Sequence, residues 1–171
     1  MKRTVLVAGL ALLTWSPASA RQVTDAQIAG IVVSANQVDI DAGKLAQTMA
    51  ASGEVKKFAE RMVTDHTGVN KAAADLVTRL NVKPEPSETS KALEAGGEKH
   101  RAHLKTLKGA AFDTAYIEHE VTYHQQVLDA LDKTLIPNAK NGELKALLVK
   151  VRPAFVAHLE HARHLRTSTA N

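Results

Sequence analysis

Three histidines, His66, His124 and His158, occupy positions that helical spacing otherwise reserves for core hydrophobes, and each lies on a different predicted helix. A buried imidazole needs a partner for each of its ring nitrogens. Three of them converging inside one bundle are satisfied by a metal ion or by a closed polar network. Glu120 precedes His124 by one helical turn and shares its face. Asp39 lies on the flank of the inward stripe of the first predicted helix, between Ala35 and Ala42, and is nearly level with His66 when both are counted from the turn at Gly53. Counted from the turn that joins the last two helices, His158 falls nearer the level of Glu120 than that of His124. Together Asp39, His66, Glu120, His124 and His158 make a nitrogen-and-oxygen donor set of the kind that holds zinc, iron, copper or manganese.

Other residues could support that set from behind. Asp65 precedes His66, about 100° around the helix, and is placed to orient a ligand. Tyr123 precedes His124 in the same way and either donates a hydrogen bond to a carboxylate or packs as a half-buried ring. His158, His161 and His164 repeat every three residues and drift around their helix, so His161 could join the site while His164 faces water. His100 and His103 form an HxxH pair on a separate helix, and His119, off the inward stripe beside Glu118, is expected to be exposed.

The elements that must position these groups are helical almost throughout. Thr24 and Gln27 make a capping-box start, after which Ile28, Ile31, Ala35, Val38, Ala42, Leu45 and Met49 recur at steps of three and four. A second helix, from about Glu54 to Asn81, aligns Val55, Ala59, Met62, His66, Val69, Ala73, Leu76 and Leu80. Pro84 and Pro86 break the pattern before a shorter helix of lower amphipathicity, roughly Thr89 to Leu107. A third long helix, Ala111 to Leu135, and a fourth, Glu143 to about Arg166, follow on either side of Pro137 and Asn141-Gly142. Pro153 should bend the last of these or free the carbonyl of Val149. Four long helices with one long middle connection predict an all-α fold, a four-helix bundle of the ferritin-like kind in which a helical crossover joins helices two and three.

Residues 1–20 read as a secretory signal peptide. Lys2 and Arg3 form a positive start, Val5 to Leu13 an apolar run short for a membrane span, and Ala18-Ser19-Ala20 a small-x-small cleavage site. The remainder, 21–171, has the length of a single domain, and a periplasmic location with no stable membrane insertion is expected. Two units of the formal +4 net charge belong to Lys2 and Arg3, and the remaining basic residues are dispersed, which disfavours nucleic acid as a partner. The absence of cysteine excludes disulfides, thiolate metal sites and cysteine nucleophiles.

Several stretches resemble a family of exported bacterial ferritin-like domains of uncharacterised function, often labelled outer membrane proteins. They are Val38-Asp39-Ile40-Asp41-Ala42-Gly43-Lys44-Leu45-Ala46, Val55 through His66, Phe112-Asp113-Thr114-Ala115-Tyr116, and Pro153 with His158-Leu159. The resemblance implies a ferritin-like bundle in the periplasm with Asp65-His66 and His158 among its signature positions, and with glutamate commonly standing where this chain has Asp39. Neither β-barrel alternation nor an apolar span accompanies it. The Glu-x-x-His pairs of diiron proteins do not occur in the sequence, so a histidine-rich site is expected instead of a diiron centre. The leading expectation is a bundle that buffers, senses or carries a transition metal. The alternatives are an envelope stress or interaction protein whose histidines close a structural network, and a metal-dependent oxidoreductase. A homo-oligomer or an envelope protein partner is compatible with each.

Overall fold

The computed structural model describes residues 23–169, and the signal-peptide expectation for 1–20 lies outside them. Six α-helices and one π-helical turn account for the described residues, with no strand among them: α1 (Asp25–Met49), α2 (Gly53–Arg79), α3 (Glu88–Leu104), α4 (Ala110–Ala130), the π turn (Leu131–Leu135), α5 (Ile136–Asn138) and α6 (Gly142–Thr169).

Side chains at the helix starts set the direction of each helix. The Thr24 hydroxyl accepts from the Gln27 N–H while the Gln27 amide accepts from the Thr24 N–H, closing the capping box that begins α1. Asp25 then accepts hydrogen bonds from the backbone N–H groups of Lys140 (2.8 Å) and Asn141 (2.9 Å), tying the start of α1 to the α5–α6 turn. At the other end, Asp113 accepts from Ala51 (3.0 Å) and Ser52 (2.7 Å), tying the start of α4 to the α1–α2 turn. Arg79 and Glu143 pair the end of α2 with the start of α6. It follows that α2 and α4 run parallel to each other and antiparallel to α1 and α6, so the chain must return the length of the bundle between α2 and α4. α3 makes that return.

α3 lies on the outer face of α1. A Cβ added at Gly97 would fall 2.7 Å from a Val38 methyl, so glycine sets this close approach. Ser34 donates to Glu94 (2.6 Å) alongside it, and Arg101 pairs with Asp41. The link before α3 is fixed by the Glu85 N–H, which donates to the Ala26 carbonyl (2.9 Å), and its own carbonyl sits where a Gly30 side chain would be.

The inward residues expected in α2 and α6 are buried or half-buried. Phe58, Phe112 and Tyr116 fill the end of the bundle near the α1–α2 turn, and Leu128, Leu131, Leu135, Leu144 and Leu148 fill the other. Between these apolar layers lie Asn36, Asp39, His66, Glu120, His124 and His158, all buried.

One expectation changes here. Pro137 does not stop the helix at Leu135, because the preceding turn widens and the Ile136 N–H bonds back to Leu131, which lets helical structure run to Asn138. Pro153 sits exposed inside an unbroken α6. No described helix is long and apolar enough to cross a membrane.

Candidate metal centre

Each of the three core histidines is held at one nitrogen by an acceptor. Asn36 uses its amide N–H to bond the Val32 carbonyl (2.7 Å), which turns its oxygen toward His66 Nδ1 at 2.7 Å. His124 Nδ1 lies 3.0 Å from the Glu120 carbonyl one turn back on α4. His158 Nε2 lies 2.8 Å from Asp65 Oδ2 across the α2–α6 seam. An acceptor opposite a ring nitrogen places the proton on that nitrogen and leaves a lone pair on the other. The other three nitrogens, His66 Nε2, His124 Nε2 and His158 Nδ1, are buried and have no hydrogen-bond partner. The rings form a nearly equilateral triangle, with centroids 5.6, 5.2 and 5.4 Å apart. Each histidine offers a nitrogen, and these lie within 4.8 Å of one another. Phe155 packs against all three rings, closest to His66 at 5.1 Å.

Two carboxyl groups border the triangle. Asp39 Oδ2 lies 3.1 Å from His66 Nε2 and 3.8 Å from His124 Nε2, off the line a hydrogen bond needs, so neither Asp39 oxygen has a partner. Glu120 is fully buried, lies 3.4 Å from His124 Nδ1 and interacts with the Asp39 carboxyl and the Tyr116 hydroxyl, without the alignment of a full hydrogen bond to any of them. Asp39, Glu120 and His124 form a second group whose donor atoms lie within 4.8 Å, so His124 belongs to both.

Burial dominates the electrostatics. It pushes Asp39 well above the usual carboxylate range, with the neighbouring Glu120 adding to the effect, and pushes Glu120 up to about 8. It drives His66 well below the ordinary imidazole value, helped by His124 and His158. His158 is brought down to about 4 by burial despite the opposing pull of Asp65. At neutral pH, His66 and His158 are therefore neutral donors beside a Glu120 carboxyl that retains its proton. Burial also tends to raise Asp65, but hydrogen bonds from His158 and Arg61 outweigh it and hold that carboxyl below its usual value.

Asp65 is the centre's link to solvent. Its side chain is 36% exposed and is held by Arg61 Nε at 3.3 Å. Replacing Asp65 by alanine removes the acceptor that fixes the orientation of His158. Metal affinity at the centre is expected to fall about 10- to 100-fold, read by competition with a chromophoric chelator, with little change in the melting of metal-free protein. An unchanged affinity would show that His158 is oriented by packing alone.

The structure brings together Asp39, His66, Glu120, His124 and His158, and sets Asp65 behind His158. His158 stands beside His124 and not only beside Glu120, because helical structure continues to Asn138 and moves the reference point for depth by most of a turn. The Tyr123 hydroxyl donates to the Ala35 carbonyl (2.9 Å) and not to a carboxylate, and the ring is buried. His161 stays outside the group and meets Phe58 edge-on, with centroids 5.2 Å apart. His119 is half-buried, contrary to expectation, because α3 covers its face of α4 and stacks His100 on it. The sequence reading missed Asn36. Its signal was an amide one turn before Asp39 on the same inward face.

Fold and site together define a class: an all-helical bundle with a histidine and carboxylate cluster enclosed in its core. The chain belongs to the DUF4142 family, a domain of unknown function, whose profile matches residues 13–165. Among solved structures it is similar to CopM in the Cu(II)-bound form, with 19% sequence identity, a TM-score of 0.66, and coverage of 85% of this chain and 98% of that one. At this identity the likeness shows a shared fold. No curated protein matches the chain.

Proposed function

We propose that this protein is a periplasmic transition-metal-binding bundle of ferritin-like topology that buffers, senses or carries its ion. His66, His124 and His158 are the nitrogen ligands, and Asp39 or Glu120 completes the set. The observation that carries this reading is the set of three buried, unpartnered imidazole nitrogens, each opposite a nitrogen already anchored by an acceptor. His66 Nε2 lies 3.1 Å from Asp39 Oδ2, and with the ring proton on Nδ1 these two acceptors need a proton or a cation shared between them. Metal–nitrogen bonds of about 2.0–2.1 Å place ligand nitrogens roughly 3.3–3.6 Å apart, so small side-chain rotations from the present spacing suffice.

Copper(II) is the favoured ion. A site of imidazole and carboxylate without sulfur binds it most tightly among the divalent first-row metals, and the similar fold of CopM carries Cu(II). The parallel arrangement of α2 and α4 with α3 crossing between them supports the ferritin-like reading, and the leader-like first twenty residues support export.

The test is a melt of tag-free protein prepared without metal-affinity resin. At a free Cu(II) concentration about 1,000 times Kd, stabilisation is about 4 kcal/mol, or roughly 10 °C for a domain of this size. A melt that copper, zinc and iron all leave unchanged would sink the proposal.

A further inference from the structure

A second group of imidazoles lies outside this centre, where α3 meets α4. His100 on α3 and His119 on α4 stack face to face, with centroids 3.5 Å apart and planes within 10°. Tyr123 backs His119 at 5.5 Å, also in parallel. His100 Nε2 and His119 Nδ1 are shielded from solvent and have no hydrogen-bond partner. His103, exposed and one turn beyond His100, adds an imidazole on the same face of α3. Arg101, the cation between them in sequence, is turned away toward Asp41. A solvent-open groove lined by Gly96, Gly97, His119 and Tyr123 adjoins the stack.

We infer that His100, His103 and His119 form a second metal site, a surface site for a late first-row divalent cation such as Cu(II), separate from the enclosed centre. The two rings stand 3.5 Å apart, close enough that opening the stack lets one nitrogen of each reach a single ion. Rotation about the Cβ–Cγ bonds, soft torsions in histidine, breaks the stack and turns a nitrogen of each ring toward one point, and the exposed His103 supplies a third ligand from the solvent side. The remaining positions belong to water, so the ion here exchanges with solvent, whereas the core site is enclosed. Glu120 and His119 are consecutive on α4, one facing the core and the other α3, so the two sites stand on different faces of one helix. The inference does not depend on the central triad holding metal.

Cu(II) is the probe, followed by calorimetry and by the nitrogen hyperfine pattern in electron paramagnetic resonance. The protein is the tag-free full chain carrying His66→Leu and His158→Leu to disable the centre, with circular dichroism confirming the fold. One equivalent is expected to remain. Adding His119→Asn weakens it at least tenfold with loss of nitrogen hyperfine lines, and His103→Ala, an exposed change that leaves the fold intact, weakens it several-fold. In the otherwise unaltered chain, His103→Ala lowers the affinity of the weaker equivalent and leaves the tighter one unchanged. The inference is overturned if the centre-disabled protein binds no equivalent. It is equally overturned if His103→Ala and His119→Asn leave the affinity and spectrum unchanged, or if His164→Ala, exposed on α6, weakens the ion in their place.

Discussion

Replacing His66 and His158 together by leucine is expected to lower the affinity of the tightest metal equivalent by at least about 1,000-fold while leaving the metal-free protein nearly as stable as before. The first half follows from ligand count. Two of three converging imidazoles are lost, and the remaining His124, Asp39 and Glu120 offer a weaker set. The second half follows from what the two rings do in the absence of metal. Each carries a buried nitrogen without a partner, a burden of about 1–3 kcal/mol that an apolar side chain of similar size does not have. Against that gain, the Asn36 oxygen loses its donor, a loss of about the same size, Asp65 loses the His158 N–H but keeps Arg61 and water, and leucine repacks imperfectly against Phe155 at a further expense of about 1 kcal/mol. Chemical denaturation of metal-free protein should therefore shift by no more than about 2 kcal/mol, and the copper-induced rise in melting temperature should vanish. Histidines retained for folding alone would give the reverse: a large loss of stability, with any metal binding unaltered.

The centre was legible in the sequence to the extent that it follows from helical phase. His66, His124 and His158 replace hydrophobes on clean stripes of α2, α4 and α6, helices that present one face inward, so a polar residue in the stripe is a polar residue in the core. α1 is different. α2, α4 and α3 cover it from several sides, and its buried residues include Ser34 and Asn36 as well as Asp39. A stripe that wide does not reveal which polar side chain faces which neighbour, and Asn36 went unread for that reason. The face of α3 was equally hidden. Its packing is set by a missing side chain at Gly97 and by a Ser34–Glu94 hydrogen bond, neither of which produces hydrophobic periodicity. Because the covering of α4 by α3 could not be seen, His119 looked exposed. The π turn has a similar origin: Pro137 signals a helix stop by its chemistry, and only the widened turn before it removes the conflict.

The second large effect concerns pH. Burial raises Glu120 to about 8 from an ordinary value near 4.5, so between those values the folded metal-free protein holds a proton that the unfolded chain has released. A raised carboxyl contributes stability that is present in full below about pH 4.5 and is lost as the pH climbs toward 8. His158, depressed to about 4, works in the opposite sense: its contribution is present above about 6.5 and is lost as the pH falls toward 4. Below pH 6.5 the two oppose each other, and above it only the carboxyl slope remains. Metal-free protein should thus lose about 2 kcal/mol between pH 6.5 and 8, at roughly 1.4 kcal/mol per pH unit for one proton, and its melting temperature should fall by several degrees. Metal reverses the trend. A cation bound by a carboxylate displaces the proton, so affinity should rise up to about tenfold per pH unit over the same interval, while His66 and His158, already neutral, add nothing to the slope. Glu120→Gln keeps the shape and removes the ionisation, and it should flatten both curves; Asp39→Asn should do so in part, because the two carboxyls share the burden of one buried charge. A metal-free melt that is flat from pH 6.5 to 8 in the unaltered protein would mean that both carboxyls are already ionised in the core, and the proton-for-metal exchange assigned to the centre would have to be abandoned.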